Sequence, residues 1–142
     1  MKFRYGFLGI GIVLLVHAVA VFHGLYYQIS WFDVMMHFLG GYVIALLGMA
    51  LYGWVSERVS IQGKRVDGAG RALVLLEGVF VLGVVLAVGV AWEWYEFLFD
   101  QFAMRIVAEF GQAQMGLPDT MDDLLNDSLG ALVAWLSWRK IA

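Results

Sequence analysis

The sequence predicts an all-α, polytopic membrane protein with four transmembrane helices, and three observations lead to that class. The chain has 142 residues, of which 62% are hydrophobic and only 15% are charged. Its mean hydropathy is +0.79, far above the value expected of a soluble domain of this length. Four segments reach the length of about 20 mostly apolar residues that a membrane-spanning helix needs. We therefore expect one transmembrane domain, residues 1–142, surrounded by the lipid bilayer.

The four predicted spans cover residues 5–25, 34–55, 72–95 and 120–138. The first span follows two cations, as the apolar core of a signal peptide would. It continues through His17 and Tyr26 without a small-residue cleavage site, which favours a retained membrane anchor. The second and third spans are joined by a polar, basic connection, and the third and fourth by a longer segment.

That longer segment is predicted to contain an interfacial helix. Phe99, Phe102, Ile106 and Phe110 recur at spacings of three and four residues. This is the pattern of an amphipathic helix that lies in the membrane interface, here at about residues 98–110. Residues 111–117 break the pattern, and the acidic start of the fourth span follows.

Charged residues are segregated along the chain. Eight of the nine cations border the apolar spans in three clusters, which are Lys2 and Arg4, then Arg58, Lys64, Arg65 and Arg71, then Arg139 and Lys140. Lys and Arg are retained on the cytoplasmic side of a membrane, so both termini are predicted to be cytoplasmic. Topology accounts for the cations, and no nucleic-acid partner is expected.

Most of the acids fall between those cationic clusters, and nine of the twelve are therefore predicted at the outer face: Asp33, Glu93, Glu96, Asp100, Glu109, Asp119, Asp122, Asp123 and Asp127. Asp33 and His37 are four residues apart, and Glu93 and Glu96 are three apart, so each pair shares a helix face. The fourth span carries Asp119, Asp123 and Asp127 at four-residue intervals, with Asp122 and Asn126 beside them. Because the helices alternate in direction, these groups are predicted to meet at one end of the bundle.

Helix capping is the simplest alternative for the acids that begin a span, Asp33, Asp119 and Asp122. His17 and His23 are explained by packing or by an interfacial position. Capping does not explain Asp123 and Asp127, which lie one and two turns inside the helix. A carboxylate within a span costs on the order of 2.5 to 3.5 kcal/mol, so a partner or a function is expected.

A divalent cation would balance several acids in one apolar pocket. The predicted ligands are Asp33, His37, Glu93, Asp123 and Asp127, with His23, Asp119, Asp122 and Asn126 as candidate outer-shell residues. Carboxylates with one imidazole and no thiolate, in a chain without cysteine, suit magnesium, manganese, calcium or ferrous iron, and zinc also fits. Glu96 and Glu93 are the candidate catalytic residues, with Glu96 as general base on a metal-bound water.

Three stretches resemble small bacterial membrane proteins of the YjdF-like and VanZ-like families: FDVMMHF at 32–38, EWYE at 93–96 and DTMDDLLNDSLGA at 119–131. The YjdF-like match is closer, because the paired glutamates and the Asp-Thr segment occur in order. The resemblance implies a multi-pass protein of the bacterial inner (plasma) membrane. The families are largely uncharacterised, so the resemblance names no reaction.

Three functions are compatible with these residues. The first is a metal site that acts, as a hydrolase would, on a lipid-linked or amphiphilic substrate. The second is a non-catalytic accessory or structural subunit of a membrane-protein complex, in which the polar groups fix the helices. The third is a proton or ion relay, which only Glu77 and His17 would continue toward the cytoplasm.

Small residues also form stripes on the predicted spans. Gly41 and Ala45, Gly130 and Ala134, and Gly83, Ala87 and Ala91 are each four residues apart. Such stripes let helix backbones approach closely in a membrane. We therefore expect spans two, three and four to pack along them.

Overall fold

A computed structural model describes residues 3–60, 70–102 and 113–141 of the chain. In that part of the molecule every regular element is an α-helix: α1 (Phe3–His23), α2 (Leu25–Gln28), α3 (Phe32–Ser60), α4 (Gly70–Phe102) and α5 (Leu117–Ile141). The all-α prediction is confirmed for these residues.

Three helices are long and apolar enough to cross a membrane: α1, α4 and the segment Phe32–Val59 of α3. They correspond to the first three predicted spans. The fourth prediction, residues 120–138, lies within α5, which has 25 residues. Aspartates in the first half of α5 lower its hydropathy, and this helix is not among the three, so the fourth span remains a prediction.

Two of the differences between the helices and the predicted spans concern the ends of α1 and α4. The first span was expected to reach residue 25, but α1 ends at His23 because Gly24 takes a left-handed conformation, with φ 67°, that glycine adopts without steric cost. Helix α4 is continuous to Phe102, so residues 98–102 extend the third span rather than begin a separate interfacial helix. The rest of that predicted helix lies outside the described residues.

Helix α3 is the centre of the bundle. It packs against α1, α4 and α5, and most extensively against α5. The main apolar core lies between α3, α4 and α5 and consists of Ala45, Met49, Val81, Val85, Ala131 and Ala134. A smaller core, formed by Ala20, Phe32 and Met36, joins α1 to α3.

The outer surface of the bundle is apolar, as expected of a protein surrounded by lipid. Phe7 and Leu15 on α1 and Leu75 and Val79 on α4 each expose more than half of their surface. Helix α5 has the same character along one face, where Leu125, Leu129, Leu132, Val133 and Leu136 are exposed. The acids of α5 at 123 and 127 lie on its buried face.

Two of the predicted small-residue stripes are packing faces. A Cβ on Gly41 would overlap the backbone of Asp127, and a Cβ on Gly130 would overlap the carbonyl oxygen of Phe38. The backbones of α3 and α5 therefore touch, which only glycine permits here. The third stripe was predicted wrongly, because Gly83, Ala87 and Ala91 are exposed and a Cβ on Gly83 would meet nothing within 4 Å.

Candidate metal centre

Polar side chains from three helices converge at one end of the bundle. Asp33 and His37 lie in the first two turns of α3, Glu93 and Glu96 lie near the end of α4, and Asp123 and Asp127 lie in the first half of α5. Five of these six residues are buried: His37, Glu93, Glu96, Asp123 and Asp127. Asp33 is only partly buried and exposes 25% of its side chain.

The imidazole of His37 lies at the centre of this group. Its Nε2 atom is 3.7 Å from Oδ1 of Asp33 and 3.6 Å from Oδ1 of Asp123. Its Nδ1 atom, on the opposite side of the ring, is 3.5 Å from Oδ1 of Asp127. One imidazole therefore faces three carboxylates.

Asp33, His37 and Asp123 together could hold a metal ion. Each offers one ligand atom, and these atoms lie within 4.8 Å of one another. Two carboxylates and one imidazole form a donor set that suits a hard or borderline divalent cation. Three of the five predicted ligands are thus brought together in one group.

Asp127, another predicted ligand, lies on the Nδ1 side of His37. A histidine that binds a metal through one ring nitrogen usually donates the other N–H to a carboxylate, which fixes the tautomer and the ring orientation. Asp127 fits that orienting position. A Cβ on Gly89 would lie 2.5 Å from Oδ2 of Asp127. The backbone of α4 therefore packs directly against this carboxylate, and the lack of a side chain at Gly89 makes room for it.

Glu93 is the fifth predicted ligand, and its two oxygens have different environments. Oε2 accepts a hydrogen bond of 2.7 Å from the Thr120 hydroxyl, which joins α4 to α5. Oε1 is buried without a hydrogen-bond partner, and so is Oδ2 of Asp123. Buried carboxylate oxygens of this kind are costly unless a cation or a proton satisfies them.

Charge balance leads to the same requirement. Among the residues that the structure describes, every ion pair involves His37, and no Lys or Arg reaches these acids. Within the described residues, His37 is therefore the one basic group paired with Asp33, Asp123 and Asp127, and Glu93 and Glu96 lie in the same group of side chains. Several like charges in a buried site need a further positive charge or bound protons.

The Glu96 carboxylate has a hydrogen-bond partner on its own helix. Its Oε1 atom accepts a hydrogen bond of 2.9 Å from the indole Nε1 of Trp92. Glu96 and Asp33 line the same cavity, which has a volume of about 410 Å³. The candidate base and one candidate ligand therefore face a shared space.

The four predicted outer-shell residues do not join the group. His23 is exposed at the end of α1, and Asp122 is exposed on α5. Asp119 accepts a hydrogen bond of 3.0 Å from the backbone N–H of Met115, which fixes the turn before α5. The Asn126 amide donates to the backbone carbonyl of Asp122 at 2.9 Å.

Sequence reasoning gave no role in the site to Thr120, Trp92 or the contact between His17 and Tyr26. The His17 Nδ1 atom and the Tyr26 hydroxyl lie 2.8 Å apart, and the His17 ring meets the Trp92 ring edge-on with centroids 5.0 Å apart. Burial, with a smaller contribution from the charge of Asp33, raises the pKa of Tyr26 above its ordinary value. The phenol is therefore protonated at neutral pH. For the contact between Thr120 and Glu93, the one signal in the sequence was that Thr120 directly follows Asp119 in the acidic start of the fourth predicted span.

A second cavity adjoins the first, with a volume of about 190 Å³ between α1, α3 and α4. The two cavities share His17, Tyr26 and Asp33 as lining residues. The smaller one extends along aliphatic side chains of α1 and α4 and reaches His37 and Asp127 at its polar end. We call His37 with its three carboxylates, Asp33, Asp123 and Asp127, the acid–histidine group. The smaller cavity thus reaches this group from within the apolar part of the bundle.

These features define an integral membrane protein of packed α-helices with a buried acid–histidine group that could hold a metal. The family model described as "Predicted membrane protein (DUF2238)" matches residues 6–141, so the chain belongs to that family. The match confirms an uncharacterised membrane family, whereas the YjdF-like or VanZ-like relationship remains a prediction. No curated protein matches the chain. No solved structure matches it either.

Proposed function

We propose that this protein holds one divalent cation at Asp33, His37 and Asp123 and uses it to hydrolyse a lipid-linked or amphiphilic substrate. The observation that carries the proposal is the set of three ligand atoms within 4.8 Å of one another. The unpartnered oxygens of Asp123 and Glu93 support it, because a cation would satisfy groups that are otherwise costly to bury. Magnesium, manganese, iron and zinc are the candidates.

The proposed reaction is cleavage of a phosphoester or a related ester by water. A divalent cation held by Asp33, His37 and Asp123 would ease the deprotonation of a water molecule. Glu96 accepts a proton from the attacking water, the water oxygen forms a bond to phosphorus or carbon while the bond to the leaving alcohol breaks, and Glu96 returns the proton to the alcohol oxygen. Asp127 holds the His37 ring in position, and Glu93 supplies further negative charge beside the cation.

The proposal includes a topology. We place α5 across the membrane as a fourth span, because its exposed face from Leu125 to Leu136 is apolar while Asp123 and Asp127 face His37 of α3. The described cations Arg4, Arg58 and Arg71 lie at the helix ends opposite the acid–histidine group, which favours cytoplasmic termini in a bacterial inner membrane. The acid–histidine group would then lie at the outer face of a single domain, residues 1–142.

Metal content tests the site. The protein is purified in an uncharged detergent without chelator, and metals are measured by mass spectrometry per mole of chain. We expect about one divalent ion per wild-type chain and a background value for Asp123→Asn. The matched control is Asp122→Asn, an exposed neighbour on the same helix, which should keep the metal. A wild-type chain without stoichiometric metal, or equal content in both variants, would refute the site.

Hydrolysis is tested separately with an alkylphosphocholine, a long-chain phosphoester without net charge, in mixed micelles. Removal of a general base typically lowers a rate by about 10²–10⁴-fold, so Glu96→Gln should release the long-chain alcohol at least about 100-fold more slowly while it keeps its metal. Exposed Glu57→Gln is the control. A metal-loaded wild-type protein that releases no product from any such ester would leave the site without the proposed reaction.

One observation favours the accessory role as a second candidate. The stripe of Gly83, Ala87 and Ala91 on α4 is exposed, and no described helix covers it. Small residues in a membrane protein commonly mark a helix contact, so a partner helix would fit here. Loss of a co-purifying membrane protein on Gly83→Leu, with unchanged metal content, would support that role.

A further inference from the structure

The larger of the two cavities has the chemistry of a site for an organic cation. Two of its lining residues, Asp33 and Glu96, are carboxylic acids, and its described lining contains neither Lys nor Arg. Glu96 exposes only 8% of its surface. An anionic ligand would meet like charge in this cavity, whereas a cationic ligand would be attracted.

Aromatic side chains form much of the remaining wall. Tyr26, Tyr27, Tyr95 and Phe99 line the cavity, and the rings of Tyr95 and Phe99 lie next to each other with centroids 6.0 Å apart. The faces of aromatic rings attract cations, and quaternary ammonium groups are commonly bound by several such rings. Acids and aromatic rings together indicate an ammonium group.

The volume of this cavity exceeds that of a single-ion site, and of the proposed metal ligands it has only Asp33 in its described lining. At about 410 Å³ it falls in the range of small-molecule sites, which is about 300–1,000 Å³. The proposed metal ligands lie within 4.8 Å of one another, and one of them, Asp123, lines neither cavity. The large cavity therefore suits a molecule rather than a bare ion.

The adjoining smaller cavity suits an apolar chain. Its walls on α1 and α4 include Ile10, Val13, Leu14, Val85 and Val88. The two cavities have His17, Tyr26 and Asp33 in common as lining residues. A ligand that fills both spaces needs a cationic head and an aliphatic tail.

We propose that the two cavities together bind an amphiphile with an ammonium head group, the head at Glu96 and Asp33 and the chain between α1 and α4. The proposal rests on the proposed hydrolysis only for the view of this amphiphile as a substrate. Binding itself requires no metal.

Equilibrium dialysis of the protein in maltoside micelles against radiolabelled octyltrimethylammonium tests this inference. Protein-free micelles correct for partitioning. We expect one saturable site per chain. Unlabelled tetramethylammonium, which lacks the chain, should compete at least about tenfold more weakly, and octyl glucoside, which lacks the charge, should not compete. Absence of saturable binding, or equal competition by octyl glucoside, would overturn the proposal.

Variants assign the head and the chain to their cavities. Glu96→Gln should weaken binding at least about tenfold, whereas the exposed Glu57→Gln should not change it. Val88→Phe fills the smaller cavity and should weaken octyltrimethylammonium but not tetramethylammonium. Val90→Phe, an exposed residue on the same helix, is its control. Unchanged binding in Glu96→Gln and Val88→Phe would place the ligand elsewhere and contradict the proposal.

Two further variants keep the test decisive. If Glu96→Gln does not fold, Tyr95→Leu replaces it, with a loss of about two- to fivefold expected from one exposed cation–π contact; Trp94→Leu, outside the cavity lining, should bind normally. Asp123→Asn removes a proposed metal ligand without touching either cavity. Retained ammonium binding in that variant, together with lost metal, would separate the two sites, whereas lost binding would refute a metal-independent ammonium site.

Discussion

The contact between α3 and α5 and the space between α1 and α4 lie in the same helical bundle but are built in different ways. At Gly41 and Gly130 the backbones of α3 and α5 touch, and His37 is held among carboxylates from both helices. Helix α1 instead packs on α3, and two cavities lie between α1 and α4.

The difference shows that one small bundle contains both a tightly packed helix contact and open space between helices. A metal or catalytic group requires ligand atoms fixed within a few tenths of an ångström, and tight helix packing provides that. A ligand instead requires open space between helices. In the proposed function the close contact would hold the metal ligands and the cavities between α1 and α4 would hold the amphiphile, and four substitutions test this division.

The largest effect is expected at the centre of the tight contact. His37→Leu leaves Asp33, Asp123 and Asp127 without their described ion-pair partner, and loss of one partner of a buried pair typically costs about 3–5 kcal/mol. Unfolding free energy in mixed detergent micelles measures the cost. His23→Leu is the control, because His23 is exposed and should change stability by less than about 0.5 kcal/mol. Equal stability of the two variants would show that His37 does not stabilise the carboxylates around it.

The second-largest loss of stability is expected from removal of the hydrogen bond between Thr120 on α5 and Glu93 on α4. Thr120→Val leaves both oxygens of Glu93 unsatisfied, and a hydrogen bond to a charged group contributes about 1.5–3 kcal/mol. Ser128→Ala on the same helix removes a hydroxyl that donates to the Leu124 carbonyl, within α5 itself, and should cost about half as much or less. A smaller loss for Thr120→Val than for Ser128→Ala would contradict this assignment.

The backbone contact itself is tested by Gly41→Ala. The added Cβ would overlap the Asp127 backbone, and overpacking of this kind costs about 1–3 kcal/mol. Gly53→Ala in the same helix has nothing within 4 Å of the new Cβ, so it should be neutral or, through reduced chain entropy, slightly stabilising. Thermal unfolding of both variants should separate them by several degrees.

The smallest loss of stability is expected beside the cavities between α1 and α4. Tyr26→Phe removes the hydrogen bond to His17 and should cost about 0.5–1.5 kcal/mol. Tyr5→Phe, an exposed residue near the other end of α1, is the control and should cost less. A loss at Tyr26 as large as that at His37 would show that the α1 side is as tightly determined as the α3–α5 contact.

The sequence predicted most of what lies within single helices. Hydropathy located α1, α3 and α4, and helical spacing placed Asp33 with His37 and Asp123 with Asp127. These relations depend on local geometry, in which residues four apart share a face. The continuous α4 is the exception, because the aromatic residues after residue 98 repeat at the same spacing in a long span as in an interfacial helix.

Relations between helices were predicted only in part, since they depend on how each helix is rotated. The chain order could not show that Asp127 faces Nδ1 of His37 while Asp33 and Asp123 face Nε2. The small-residue stripes make the same point. Gly41 and Gly83 look alike in sequence, yet one lies against α5 and the other is exposed. Gly41 follows His37 by four residues and so shares a helix face with the acid–histidine group, whereas Gly83 has no such neighbour. The spacing of the small residues alone does not show this difference.

Magnetic resonance of bound manganese tests the central claim most directly. The protein is labelled with ¹⁵N-histidine, loaded with Mn²⁺ in detergent and examined by electron–nuclear double resonance. We predict one bound Mn²⁺ per chain with coupling to a single directly bound imidazole nitrogen, lost in His37→Gln and retained in His23→Gln. Bound Mn²⁺ without histidine coupling, or coupling that survives in His37→Gln, would contradict a site formed by Asp33, His37 and Asp123.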